Sequence, residues 1–307
     1  MKKEIYKGFI WLGMAVVIIF TPLARGGMTV WAVMSALSIV YLLIFAWLVK
    51  STHKFQSTAI DIPLLLLAIL AVISFAFSIY KYASFNALLS LFAFIGIYYL
   101  IVNNFDKVMV RRLITLVICL GTGLSIYGLL QYFGYLDHSW WRHDNFLTAS
   151  YINHNHFAGL LELVIPVSFA MLLTRRRKKA VVIVSALIIM ITAFVFAQSR
   201  GAWLSLGVSL FVMTVILVNK KIIPMRSIFI FLIVVTLLIS FAYFNGGFVS
   251  ERIDSIGDIV KGKDSLFMRL KIWDGTTNLI LHNPLIGTGI GTFVWALPGY
   301  RPEGLNV

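Results

Sequence analysis

The stretch "MTVWAVMSALSIVYLLIFAWLV", residues 28–49, decides the fold class because it contains no Asp, Glu, Lys or Arg. About 20 consecutive apolar residues are needed for a helix to cross the hydrocarbon core of a bilayer. A segment in lipid has to satisfy its own backbone hydrogen bonds, so it is either a helix or part of a closed barrel. The apolar residues here are continuous rather than alternating, which predicts a membrane helix and excludes a barrel strand.

Similar apolar stretches recur along the chain. Of its 307 residues, 60% are hydrophobic and 12% are charged, whereas a typical soluble domain carries about 25% charged residues. We therefore predict an all-α, polytopic membrane helix bundle with about nine spans. The predicted spans are residues 8–24, 28–49, 61–79, 83–102, 112–133, 156–174, 180–198, 202–218 and 227–244.

The distribution of basic residues predicts the orientation of the bundle. With the N-terminus in the cytoplasm, sixteen Lys and Arg fall on the inner side, whereas the short outer connections hold only Arg25, Lys81, Arg142 and Arg200. Cytoplasmic connections of membrane proteins carry such an excess of basic residues. The net charge of +14 is thus explained by anionic lipid at the inner face, and nucleic acid is not expected as a partner.

The last part of the chain differs from the bundle in composition. We assign residues 1–244 to the transmembrane bundle and residues 245–307 to the start of a large extracytoplasmic loop. This loop is predicted to contain one helix near residues 265–282, which begins at an Asp264 or Ser265 cap and ends before Pro284. The stretch "GTGIGTF" that follows lacks the strand and the GK[ST] ending of a phosphate-binding loop, so we interpret it as a tight glycine turn.

Arginines are the candidate anion-binding residues of the predicted outer face. A guanidinium group at a membrane face either anchors to lipid headgroups or binds a phosphate through two parallel hydrogen bonds. Anchoring is favoured for Arg25 and Arg142. Arg200 opens a helix, where free backbone N–H groups and the positive helix end favour a phosphate. Arg269 lies four residues before Trp273, so it either stacks on that ring or presents its charge to a diphosphate.

A polar cluster stands at the mouth of the sixth predicted span. Asn153, His154, Asn155 and His156 directly precede a long apolar stretch, and Glu162 lies about two helical turns further on. One interpretation is that Asn153 or Asn155 caps the helix and the imidazoles lie at the headgroup level. Another is that the cluster donates hydrogen bonds to the polar headgroup of a lipidic substrate. An intramembrane carboxylate is costly and marks a functional site by default, so Glu162 favours the second interpretation.

A metal site is the third interpretation, in which His154 and His156 bind a cation together with His143 or Asp144. Residues two apart do not share a helix face, no Cys joins them, and no standard ligand spacing is present. We therefore predict no metal at this cluster. The single Cys119 lies within a predicted span and indicates no disulfide framework.

Four stretches together resemble the O-antigen ligase/O-antigen polymerase superfamily of bacterial membrane glycosyltransferases, and the resemblance extends over essentially the whole chain. The resemblance rests on their order and spacing rather than on any single motif. The stretches are "PLARGGMTVWA" (22–32), "YINHNHFAGLLELVIP" (151–166), "QSRGAWLSL" (198–206) and "MRLKIWDGTTNLILHNPLIGTGIGTF" (268–293), the last followed by "PGYR" (298–301).

The resemblance implies a transfer of glycan from an undecaprenyl-diphosphate carrier to a lipid or glycan acceptor, at the outer face of the bacterial inner membrane. It implies no metal, nucleotide sugar or other cofactor. Arg200 and Arg269 match the basic residues expected to bind the diphosphate. The residues expected to line the carrier and headgroup site are Asn153, His154, Asn155, His156, Glu162, Arg25, Trp273 and Arg301.

The chain departs from the family pattern at its end. The family has a catalytic His in an "HN" motif downstream of the "YR" stretch, followed by further membrane helices, and no residue of 1–307 matches that His. The catalytic residue is therefore unassigned. We expect the chain to be truncated before this His, which would lie beyond Val307.

Three alternatives to a ligase stay open. They are a polysaccharide polymerase, a polytopic transporter and an inactive truncation. A transporter is disfavoured because Glu162 and Pro166 share one helix and no internal repeat is present.

Overall fold

The computed structural model describes residues 2–50, 55–137, 146–173, 177–223 and 265–301. Within these ranges the secondary structure is helical and contains no strand, which confirms the prediction of an all-α fold. The helices are α1 (Lys2–Leu23), α2 (Val30–Lys50), α3 (Asp61–Ala76), α4 (Lys81–Asn104), α5 (Lys107–Tyr132), α6 (His154–Leu172), α7 (Arg177–Phe196), α8 (Arg200–Asn219), α9 (Ser265–His282) and α10 (Phe293–Ala296). Short 3-10 turns cover Arg25–Gly27 and Leu297–Tyr300.

The described residues form the helices of a multi-pass membrane protein. Six of these helices, α1, α2, α4, α5, α6 and α8, are long and apolar enough to cross a bilayer. The apolar part of α7 and the whole of α3 are shorter than the others. The ninth predicted span, residues 227–244, lies outside the described residues. The number of spans and their orientation in the membrane therefore stay predictions.

The chain divides into two compact units. The first contains residues 1–43 and 104–242, and the second contains residues 44–103 and 243–307. The helix predicted near residues 265–282 is present as α9. The domain boundary predicted at residue 244 falls outside the described residues and stays a prediction.

The core of the first unit is built on the small residues of α5. This helix packs against α6 and α7, and α6 also packs against α8. Gly121, Ser125 and Gly128 are buried along one face of α5. A Cβ added at Gly121 would lie 3.2 Å from a methyl carbon of Val164 and 3.3 Å from the sulfur of Met190. Small residues of this kind let membrane helices approach closely, so the packing depends on the absence of side chains here.

Helix α5 begins at an aspartate cap just outside its apolar segment. The carboxylate of Asp106 accepts hydrogen bonds from the backbone N–H groups of Met109 at 2.8 Å and Val108 at 2.9 Å. These two backbone hydrogen bonds hold the pKa of the Asp106 carboxyl below its ordinary value. The cap therefore satisfies two N–H groups that the first turn of a helix otherwise leaves without a partner.

In the second unit, the glycine turn that follows α9 is attached to the connection between α3 and α4. The backbone N–H of Ile79 donates to the carbonyl of Thr288 at 3.0 Å. The hydroxyl of Ser84 donates to the carbonyl of Ile290 at 2.7 Å. Gly289 has φ +116°, and a Cβ there would lie 2.4 Å from the Ser78 hydroxyl, so glycine is required by both conformation and space.

Replacing Gly128 with Val is expected to lower the melting temperature of the protein in detergent. A Cβ at this position would lie 2.6 Å from a methyl carbon of Leu147 and 3.1 Å from the Cβ of Ala149. Forcing extra atoms into a packed core costs about 1–3 kcal/mol. The matched control is Gly123→Val on the same helix, where nothing lies within 4 Å of the added Cβ. Equal melting temperatures for the two variants would contradict the proposed packing of α5.

Candidate functional site

Three connections meet at one end of the first unit: α1–α2, α5–α6 and α7–α8. The hydroxyl of Ser150, between α5 and α6, donates to the carbonyl of Pro22 near the end of α1 at 2.7 Å. The backbone N–H of Leu147 donates to the carbonyl of Phe196 at the end of α7 at 3.2 Å. The sequence predicts all three connections on the outer face, and the structure brings them together at one end of the bundle.

The α5–α6 connection is buried, although it is a loop. The side chains of Thr148, Ala149, Ser150 and Tyr151 are all buried. A Cβ added at Gly26 would lie 2.2 Å from the Tyr151 ring, and Gly26 has φ +69°, so only glycine lets the α1–α2 turn approach that ring. Burial raises the pKa of Tyr151 to about 12, so this phenol is neutral at physiological pH.

Strained backbone is concentrated where these connections meet. Four non-glycine residues in the described ranges have positive φ, and three of them are Arg25, Ala149 and Gln198, one in each connection. A left-handed conformation costs a non-glycine residue roughly 1–2 kcal/mol. Such strain persists only where the surroundings enforce it, and it is found preferentially at functional sites.

The N-terminal ends of α6 and α8 are capped and joined by one polar network. The Asn153 side chain accepts from the backbone N–H of Asn155 at 2.8 Å, which confirms Asn153 as the cap of α6. The Ser199 hydroxyl accepts from the backbone N–H of Ala202 at 3.4 Å and so caps α8. The same hydroxyl donates to the side-chain oxygen of Asn155 at 2.7 Å. Two helix N-termini are thereby fixed beside each other.

A second polar contact joins α6 and α8 about two turns further along. The hydroxyl of Ser205 donates to the carboxylate of Glu162, and it also contacts the carbonyl of Ala202 at 3.2 Å. Glu162 is half-buried. A carboxylate within a membrane helix is costly unless it finds a polar partner, and Ser205 is such a partner here. The α6–α8 seam therefore carries polar contacts at two levels.

The histidines of the cluster have different surroundings. The His154 ring stacks on Phe146 with the ring centroids 4.3 Å apart, whereas His156 is exposed. Within the described ranges, no group of three His, Cys, Asp or Glu side chains could hold a metal ion. The remaining ligands of the metal hypothesis, His143 and Asp144, lie outside those ranges. The absence of a metal at this cluster therefore stays a prediction.

Arg200 is the first residue of α8, and its side chain lies outside the described part of the structure. Its backbone environment agrees with the sequence-based interpretation. Gly201 is exposed, and nothing lies within 4 Å of the position that a Cβ would take. Ala202, by contrast, is buried. Space for an incoming anion is thus present beside Gly201, next to the positive end of the helix.

The remaining predicted site residues belong to the second unit. Arg269 and Trp273 on α9 are both exposed. Stacking on Trp273 and presentation of the Arg269 charge to a diphosphate both stay predictions.

Arg301 is the last described residue of the chain. It follows Tyr300, which contacts the end of α9. The Tyr300 ring centroid lies 5.3 Å from that of His282, and its hydroxyl accepts a hydrogen bond from the side-chain amide of Asn283 at 3.2 Å. The end of α9 therefore fixes the position from which Arg301 extends. Residues 302–307, and with them Val307, lie outside the described residues. The expected position of the catalytic His beyond Val307 therefore stays a prediction.

Sequence reasoning missed three residues of this arrangement: Tyr151, Ser199 and Ser205. Ser199 carried a usable signal, since a serine directly before a predicted helix is a typical N-cap. The contacts of Tyr151 and Ser205 depend on which elements are neighbours in space. Periodicity along one chain does not provide that information.

A double-mutant cycle tests the link between α6 and α8. Asn155→Ala and Ser199→Ala should each lower the melting temperature, and the double variant should lose less than the sum of the two shifts. A hydrogen bond of this kind contributes about 0.5–1.5 kcal/mol, so the non-additivity is measurable. Asn153→Ala is the matched control, because it removes the α6 cap without touching Ser199 and should combine additively with Ser199→Ala. Additive shifts for the Asn155 and Ser199 pair would contradict the contact.

Comparison with known proteins shows that part of the chain is similar to a known family. A family model described as O-antigen ligase matches residues 185–306, which run from within α7 through α8 and α9 into the residues after Arg301. No curated protein and no solved structure matches the chain significantly. The matched segment contains Arg200 and Arg269, the two residues predicted to bind a diphosphate. Residues 185–306 are therefore similar to the O-antigen ligase family, which supports the resemblance to the O-antigen ligase/O-antigen polymerase superfamily.

Proposed function

We propose that the protein transfers a glycan from an undecaprenyl-diphosphate carrier to a lipid or glycan acceptor at the outer face of the bacterial inner membrane. The observation that carries this proposal is the O-antigen ligase match over residues 185–306, because it includes both candidate arginines. The membrane helices suit a carrier whose long hydrocarbon tail requires a bilayer. No cofactor is required, since the diphosphate itself is the leaving group of the transfer.

Arg200 is proposed to bind the diphosphate together with the first turn of α8. Charge develops on the diphosphate as its bond to the sugar breaks, and a fixed guanidinium group stabilises that charge. The positive end of the α8 helix adds to this effect. The resemblance implies the same role for Arg269 on α9. A separate Arg269→Ala substitution tests that role.

The polar residues beside α8 are proposed to line the headgroup part of this site. Asn155 and Glu162 already accept hydrogen bonds from Ser199 and Ser205, so their positions are fixed before a substrate arrives. A fixed polar lining avoids the cost of ordering side chains on binding. The exposed His156 lies at the same end of α6.

The acceptor hydroxyl needs a group that removes or positions its proton. The resemblance expects a His for this role downstream of the "PGYR" stretch, and we assign the role to none of residues 1–307. His282 is engaged with the carbonyl of Asn278, at 2.8 Å, and with the ring of Tyr300. The residues proposed here therefore account for binding of the carrier and not for activation of the acceptor.

Replacing Arg200 with Ala should reduce glycan transfer by about 10²–10³-fold, as expected for the loss of one donor to developing negative charge. Arg200→Lys should fall between Arg200→Ala and the unaltered protein, because an ammonium group keeps the charge but not the planar pair of donors. Arg269→Ala should also reduce transfer. The measurement uses the intact protein in lipid nanodiscs with an undecaprenyl-diphosphate-linked oligosaccharide, and with either a lipid or a glycan acceptor.

The matched control is Arg111→Ala, an exposed arginine of α5 at the opposite end from the α5–α6 connection, which should transfer at the unaltered rate. Normal transfer by Arg200→Ala at normal protein levels would reject its phosphate role. Product on the glycan acceptor alone would identify a polymerase rather than a ligase. Movement of the carrier across a liposome membrane, without any transfer product, would favour a transporter.

A further inference from the structure

The segment that follows α9 exposes five large apolar side chains. Leu285 is 93% exposed, Val294 is 72% exposed and Trp295 is 53% exposed. Ile286 and Phe293 of the same segment are also exposed. Contiguous exposed apolar groups on a water-facing surface mark a contact with a membrane or another protein. We name residues 285–296 the apolar hairpin.

The apolar hairpin is held against the start of a membrane helix. Its carbonyl groups at Thr288 and Ile290 accept hydrogen bonds from Ile79 and Ser84, at 3.0 Å and 2.7 Å. The centroid of the Trp295 ring lies 4.9 Å from that of the Tyr80 ring. All of these contacts lie within the second unit. The height of the hairpin relative to the bilayer is therefore set by the α3–α4 connection.

As a candidate span, α4 would place that connection at the boundary of the hydrocarbon core. Helix α4 starts at Lys81, has 24 residues and is a candidate span. At 1.5 Å per residue it is about 36 Å long, slightly more than the roughly 30 Å of hydrocarbon, so its first turn reaches the headgroup level. Leu285 is three residues from Thr288, and an extended chain covers at most about 3.6 Å per residue. Leu285 thus lies within about 11 Å of Thr288, the residue whose carbonyl is hydrogen-bonded to the connection.

The aromatic and basic residues around the hairpin suit the same depth. Tyr80 and Tyr82 are exposed at the start of α4, and Trp295 is exposed beside them. Trp and Tyr are enriched where hydrocarbon meets the headgroups. The ammonium group of Lys81 donates to the carbonyl of Phe75 at 2.9 Å, at the end of α3. Together with the apolar side chains, these residues form a surface that is continuous with the exposed apolar faces of α3 and α4.

We propose that the apolar hairpin inserts into the headgroup region of the bilayer and anchors the end of α9 to the membrane surface. Leu285, Val294 and Trp295 enter the lipid, while the hydrogen bonds at Thr288 and Ile290 hold the hairpin to the α3–α4 connection. An apolar surface of this kind binds at the interface without crossing the bilayer. The anchoring does not depend on the proposed glycan transfer and is tested without an activity assay.

The test places a fluorescent probe on the hairpin of the intact protein. In a Cys119→Ala background, Leu285→Cys and separately Val294→Cys are labelled with an environment-sensitive dye and reconstituted into phosphatidylcholine nanodiscs. We expect blue-shifted emission at both positions, at least about two-fold quenching by lipids that carry a doxyl group near the headgroup, and little quenching by aqueous iodide. Thr277→Cys, an exposed polar position on α9, is the control and should respond to iodide instead.

Two results would overturn the proposal. Probes at 285 and 294 that are quenched by iodide and not by doxyl lipid would place the hairpin in water. Probes that are shielded from both quenchers would identify a protein occupant, such as a second copy of the chain. Because both substituted side chains are largely exposed, neither variant removes a packing contact of the core.

Discussion

The hydrogen bond from Ser199 to Asn155 is the contact on which the candidate site depends. It joins the first turns of α6 and α8, so that two capped, positive helix ends are fixed at one end of the bundle. Without this contact, Asn155 would be an isolated amide at the mouth of an apolar helix, where a polar group lacks partners. With it, the polar residues of two family stretches become one surface beside Arg200.

The remainder of that end of the bundle is arranged around the same contact. The α5–α6 connection lies buried between α1 and α7, and its Tyr151 ring is accommodated by Gly26 of the α1–α2 turn. The strained residues Arg25 and Gln198 lie in the connections on either side of it. Rigid loops are what a site for a charged headgroup needs, because loops that must first be ordered weaken binding.

The helices and the helix cap that depend on a local sequence pattern could be predicted from the sequence. The absence of charge over residues 28–49 predicted a membrane helix, and the asparagines before an apolar stretch predicted a cap at Asn153 or Asn155, of which the structure has Asn153. The Glu162–Ser205 contact and the burial of Tyr151 were not predictable, because they depend on which helices are neighbours. The stretch "GTGIGTF" after α9 was predicted to form a glycine turn. Its close neighbour is Ser78 of the α3–α4 connection, which a single sequence does not reveal.

Photo-crosslinking tests whether the diphosphate of a polyprenyl carrier binds at the N-terminal end of α8. An undecaprenyl diphosphate with a photoreactive group beside the diphosphate is irradiated with the protein in nanodiscs, and the labelled peptides are identified by mass spectrometry. We expect labelling of residues 196–203 and 150–156, with competition by unmodified carrier and not by undecaprenol. Labelling confined to other regions, such as the α4–α5 connection, would contradict it.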